Sequence, residues 1–272
     1  MSKTFELNER DQSQNTQALV SWEKLFIYGI ILFILFSISM NFFPDISWLF
    51  PISALIASFG FTAISSNQSN EKYNIQLRLL PFSMLPALYL IVVPYLAFSI
   101  TNSLNFLHIL ILYMPFTIYI FLFKIFGIRY QNIDNRAQFI NSLFCYFLLI
   151  TLLILVQRIE FSQTKEFAIV SIGIYMLSTN YLYNQYRRPL VNFLSVIACS
   201  VAFLEFWIVI NNLILSKEII VIAGLIFFHF AAGLINAELN KKLTIAIILE
   251  YLIVVVASST VIIYLESNKF FL

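Results

Sequence analysis

The sequence predicts an all-α polytopic membrane protein, about nine transmembrane helices in one bundle, with the N-terminus cytoplasmic and the C-terminus outside. Three observations predict this class. Of 272 residues, 60% are hydrophobic and 11% charged, whereas soluble domains are nearer half apolar and a quarter charged. The apolar residues form continuous runs such as Leu25 to Phe43, close to the ~20 residues a helix needs to cross hydrocarbon. Membrane barrel strands would instead alternate apolar and polar positions, and no other backbone satisfies its own hydrogen bonds in lipid. Finally, the basic residues concentrate in alternate connections.

Taken in order, residues 1–24 form a polar tail carrying charges of both signs. The tail is too long and too acidic for a signal-peptide start, and no small-residue cleavage site follows the first run. Residues 25–272 then form a single transmembrane helical domain. Its apolar runs are about 25–43, 46–64, 79–100, 106–123, 139–157, 167–185, 191–215, 219–237 and 243–265. With the N-terminus inside, the inner segments hold Lys3, Arg10, Lys24, Lys72, Arg78, Lys124, Arg129, Arg136, Arg187, Arg188, Lys241 and Lys242. The outer segments hold Arg158, Lys165, Lys217 and Lys269, so twelve of the 16 basic residues fall inside, as the positive-inside rule requires. A net charge of +2 is uninformative about partners, and no basic cluster points to a nucleic acid, so no nucleic-acid partner is expected. Pro81, Pro86, Pro94 and Pro115 fall within spans three and four and bend them. Cys145 and Cys199 fall within apolar runs and read as buried free thiols.

Polar residues inside the spans cost several kcal/mol by most scales and usually face the bundle interior. Glu205 in span seven, His229 in span eight and Glu250 in span nine lie at comparable depths when positions are converted at ~1.5 Å per residue. They are expected to form one buried polar cluster, read as a packing contact, as the proton or ion relay of a transporter, or as a contact with the polar part of a bound substrate. Two histidines and no cysteine pair provide no zinc site, and no metal is expected.

Two span ends predicted to face the cytosol are also rich in polar groups. Asn67 and Glu71 follow span two, and Asn180 and Asn184 end span six. Each pair is four residues apart and shares a helix face, with Arg78, Arg187 and Arg188 close in sequence. Such ends are either ordinary interfacial helix termini or a mouth that holds a diphosphate headgroup.

This layout resembles the UbiA superfamily of intramembrane prenyltransferases. Members have nine helices, the N-terminus inside, and two aspartate-rich motifs after helices two and six that bind magnesium and a prenyl diphosphate. The first motif, Asn-Asp-x-x-Asp-x-x-x-Asp followed by Arg-Pro, matches Asn67, Gln68, Glu71 and Ile75, with Arg78 and Pro81 downstream. The second, Asp-x-x-x-Asp, matches Asn180 and Asn184, followed by Arg187 and Arg188. Arg129, Arg136 and Gln138 loosely echo the basic loop after helix four. Of the five family aspartates only the position of Glu71 keeps an acid. Magnesium is a hard ion that takes carboxylates together with phosphates, so the resemblance implies a member with lost or altered metal chemistry. The expected function is a weak or non-catalytic binder of an isoprenoid or lipid, or a subunit of a membrane assembly. The alternatives are a transporter and an active prenyltransferase, magnesium being expected only with residual prenyl transfer. The expected partners are membrane lipids, an isoprenoid and other membrane subunits, and the expected location is the plasma (inner) membrane.

Overall fold

The computed structural model describes residue 23 and residues 25–41, 49–66, 72–100, 106–126, 135–159, 162–182, 189–213 and 215–269, and among them there is helix and no strand. The helices are α1 (Leu25–Asn41), α2 (Leu49–Ser66), α3 (Lys72–Ile100), α4 (Phe106–Phe126), α5 (Asn135–Arg158), α6 (Gln163–Leu182), α7 (Pro189–Asn211), α8 (Lys217–Leu239) and α9 (Ile245–Lys269). Each coincides with one of the nine apolar runs. Three stretches, Phe139–Arg158, Val191–Asn211 and Lys217–Leu239, are long and apolar enough to cross a membrane. Shorter apolar helices run over Leu25–Asn41, Met84–Ile100, Leu107–Leu122 and Ile245–Thr260. The sequence predicts one helical domain over 25–272. The contacts fall into two compact units, residues 1–91 with 103–124, and residues 92–102 with 125–272.

In the first unit, tyrosine hydroxyls tie neighbouring helices through backbone carbonyls. Tyr28 on α1 donates to Ala57 O on α2. Tyr113 on α4 donates to Gly29 O on α1 at 2.8 Å, and Tyr89 on α3 donates to Leu112 O on α4. Pro115 lies inside α4 and has no N–H to give to Ile111 O one turn back. A buried phenol needs a partner, and Leu112 O supplies one to Tyr89. Around these bonds Tyr113 packs on Phe33, Phe36 and Phe116, with ring centroids 5.1, 5.6 and 5.2 Å apart.

In the second unit α5, α6, α7 and α8 form a ring in which each helix packs on the next, and α8 closes onto α5. α9 packs on the outside of α8. The ring encloses Leu148, Leu152, Ile174, Leu177, Phe203, Trp207 and Phe228, all buried. Small residues let these helices approach. A Cβ on Gly173 would collide with Leu152, one on Gly224 would lie 2.9 Å from Leu153 Cδ1, and one on Gly233 would lie 2.5 Å from the Tyr251 ring. Close packing around small residues is what binds helices where lipid removes the hydrophobic drive. Three hydroxyls of these helices are satisfied one turn back: Thr151 donates to Phe147 O, Thr179 to Tyr175 O and Ser200 to Val196 O, an arrangement suited to apolar surroundings.

α8 ends in a Schellman motif, with Lys242 N donating to Ala237 O at 2.9 Å and Lys241 N to Glu238 O at 2.8 Å. This places Lys241 at φ 54, a left-handed position where glycine is usual. A lysine there keeps a positive charge by the negative end of the helix dipole.

Candidate functional site

Of the residues singled out in the sequence for a headgroup mouth, Asn67, Glu71, Asn184, Arg187 and Arg188 lie outside the described residues. Arg78 lies on α3, but its side chain is outside them as well. Asn180 is described, and it is fully buried within the helix ring. Its Oδ1 accepts from Asn141 Nδ2 on α5 and from the Cys145 thiol at 3.5 Å. Two donors occupy the two lone pairs of that amide oxygen, so this oxygen acts in α5–α6 packing. Cys145 and Cys199 are both buried and free, in keeping with their apolar sequence surroundings.

The expected buried cluster of Glu205, His229 and Glu250 is corrected by the structure. Glu205 and Glu250 are exposed, and His229 is half-buried. Sequence position fixes depth along a helix axis, but not direction around it. Glu205 lies two residues from each of the buried Phe203 and Trp207, which turns it about 200° from the core face at 3.6 residues per turn. It joins the exposed stripe of Val201, Ile208 and Val209. Glu250 lies one residue from Tyr251, which faces α8 through its ring contact with His229 at 5.4 Å. The partner of His229 is Tyr146 on α5: the hydroxyl and Nδ1 share a hydrogen bond of 2.6 Å, its direction set by the imidazole tautomer. Tyr146 also meets Tyr181 and Phe228 edge-on, at 5.9 and 6.2 Å. The cluster is aromatic, with one imidazole, and has no acid at its centre. Among the described residues no group of three or more His, Cys, Asp or Glu side chains could hold a metal ion.

A second polar network was not read from the sequence. Glu166, in the first turn of α6, accepts through Oε1 from Asn211 Nδ2 and from Trp207 Nε1 at 3.2 Å. Asn211 Oδ1 accepts from Gln157 Nε2 at 2.9 Å. The network joins the end of α5, the start of α6 and the end of α7. The signal available for it was an acid at the start of span six and an amide near the end of span seven, facing the same side.

A concave feature that can hold a ligand lies in the first unit, between α1 and α4. It is an apolar groove of about 830 Å³, within the range of small-molecule sites. Phe26, Gly29 and Phe33 line it from α1, and Leu110, Met114 and Phe121 from α4. Glu23 forms one end of the lining. The polar groups along its walls are engaged: Tyr113 donates to Gly29 O and Thr117 to Met114 O at 2.8 Å. Gly29 creates the width, since a Cβ built there meets no atom within 4 Å. The arrangement can accept a flexible apolar chain. No protein-family model, curated protein or solved structure matches this chain.

Proposed function

We propose that this chain is a multi-pass protein of the plasma (inner) membrane that crosses the bilayer nine times, N-terminus in the cytosol and C-terminus outside. Its function is to bind the apolar chain of a lipid or isoprenoid without catalysing transfer. The observation that carries this reading is the α1–α4 groove of about 830 Å³ with its apolar walls. The topology is supported by the twelve-to-four division of basic residues, by the nine helices that follow the apolar runs, and by exposed faces rich in Ile, Leu, Val and Phe. The absence of catalysis is supported by the positions that correspond to the UbiA aspartates, which hold Gln68, Glu71, Ile75, Asn180 and Asn184. Each lost carboxylate removes a charge that a magnesium diphosphate would need, and the Asn180 oxygen is engaged by Asn141 and Cys145.

The test is turnover by the purified protein with a prenyl diphosphate and candidate acceptors, in magnesium or in chelator. The expected result is no prenyl transfer above the blank in either condition. Robust magnesium-dependent transfer would overturn the reading and restore the active-enzyme alternative.

A second reading, a subunit of a membrane assembly, is favoured by Glu205. An ionisable group within a membrane helix usually faces protein or a wet cavity, yet Glu205 lies on an exposed and otherwise apolar stripe of α7. A donor side chain from another membrane helix would satisfy it. The exposed positions of Glu205 and Glu250 lend the transporter alternative no buried acid.

A further inference from the structure

We infer that the α1–α4 groove takes one acyl chain of a cytoplasmic-leaflet phospholipid with an ammonium headgroup, and that Gly29 sets the room for the chain. This rests on the lipid-binding reading above and adds to it the ligand class and the residues that select it. The first support is length. The groove follows α1 from Leu25 to Phe33 and α4 from Leu110 to Phe121, which is about 12 and 16 Å at the helical rise. The hydrocarbon core is ~30 Å thick, so the groove is as deep as one leaflet. Along it the Phe33–Tyr113 ring contact at 5.1 Å and the Tyr113 bond to Gly29 O hold α4 against α1. A chain that enters from the Glu23 end and follows α1 to Phe33 reaches about the bilayer midplane.

The second support is shape. The open space at Gly29 contrasts with Gly60 and Gly173, where an added Cβ would strike Tyr28 or Leu152. Those glycines let helices touch, whereas Gly29 leaves a gap beside its helix. In a bilayer such an apolar gap is filled by a lipid chain, because empty space forfeits dispersion contacts on both sides.

The third support is charge. Glu23 is exposed and lines the outer end. In the proposed topology this end lies at the cytoplasmic headgroup level. A carboxylate there attracts the ammonium of a zwitterionic headgroup, and Lys24 and Lys124, on the same cytosolic segments in the proposed topology, suit its phosphate. A phosphoethanolamine-type headgroup is therefore preferred to a prenyl diphosphate or a phosphoglycerol, which bring no ammonium to Glu23. Exposure keeps the preference small, about two- to fivefold.

The experiment uses the purified full-length chain and native mass spectrometry after exchange with phosphatidylethanolamine, phosphatidylglycerol or a prenyl diphosphate. The wild-type protein is expected to retain one phosphatidylethanolamine in preference to the other two. Gly29→Leu is expected to lose the retained lipid while unfolding no earlier than wild type, because the new side chain enters open space and leucine is a better helix former than glycine by about 1 kcal/mol. Gly29→Ala is expected to retain the lipid, and Met114→Trp, filling the opposite wall, is expected to lose it. Glu23→Gln is expected to retain a lipid but without headgroup preference. If wild type retains no lipid, the lipid-binding reading itself fails. If wild type and both Gly29→Leu and Met114→Trp retain lipid equally, lipid binding stands and this groove is not its site. A preference for the anionic lipids, unaltered by Glu23→Gln, would overturn the headgroup assignment alone.

Discussion

Replacing Glu166 with alanine is expected to destabilise the protein by about 2–3 kcal/mol, the usual range for losing hydrogen bonds to a charged group. One carboxylate oxygen receives both the Trp207 indole and the Asn211 amide, and Asn211 in turn receives Gln157. Removing the acceptor leaves two donors without it on α7 and unlinks the end of α5 from the start of α6. Glu166 also lies in the first turn of its helix, where a negative charge adds about 0.3–1 kcal/mol. Glu166→Gln keeps an acceptor oxygen and is expected to lose less. Unfolding in detergent followed by tryptophan emission measures both variants. Asn211→Ala combined with Glu166→Ala should cost less than the sum of the two, as for residues in one network. Wild-type stability in Glu166→Ala, or strict additivity with Asn211→Ala, would show that the network holds nothing together.

Gly224→Leu is expected to cost about 1–3 kcal/mol, the range for overpacking a filled core. The Cβ alone would lie 2.9 Å from Leu153 Cδ1, 3.4 Å from Trp207 Cζ3 and 3.6 Å from Phe203 Cζ. Leu153 Cδ1 ends a flexible side chain and can turn aside for an alanine. The remaining carbons of a leucine must displace Trp207, which is 2% exposed and bonded to Glu166. Gly224→Ala should therefore be mild and Gly224→Leu severe, with a shift in tryptophan emission in the second only. Gly29→Leu makes the same chemical change at an open position, so the two leucine variants measured together separate packing from helix propensity. Equal melting temperatures for the two would contradict the packing described for α5, α7 and α8.

Helix number was legible in the sequence and helix direction was not, for one physical reason. In lipid both faces of a helix are apolar, so a run of hydrophobic residues reports length without an amphipathic period. Hence the nine runs match nine helices among the described residues, while Glu205, expected in the interior, lies on the exposed face of α7. Ends were less legible where polar residues prolong a helix past its apolar run: α3 begins at Lys72 and α5 at Asn135, several residues before the predicted spans. The tyrosine bonds from Tyr28, Tyr89 and Tyr113 were hidden because an aromatic residue in an apolar run looks like any other. The groove left one trace in the sequence, Gly29 among the large residues of α1. The sequence alone does not distinguish a glycine that admits a neighbouring helix, as Gly173 does, from one that leaves room for a ligand.

Nine crossings with the termini on opposite sides are tested most directly by accessibility labelling with Lys3→Cys and Lys269→Cys variants of the full chain. The native thiols of Cys145 and Cys199 are buried and add little background. On intact cells, an impermeant maleimide is expected to label the Lys269→Cys variant, and to label the Lys3→Cys variant only after the membrane is opened. Labelling of both from the same side would mean an even number of crossings, and would contradict the topology and the likeness to a nine-helix family together.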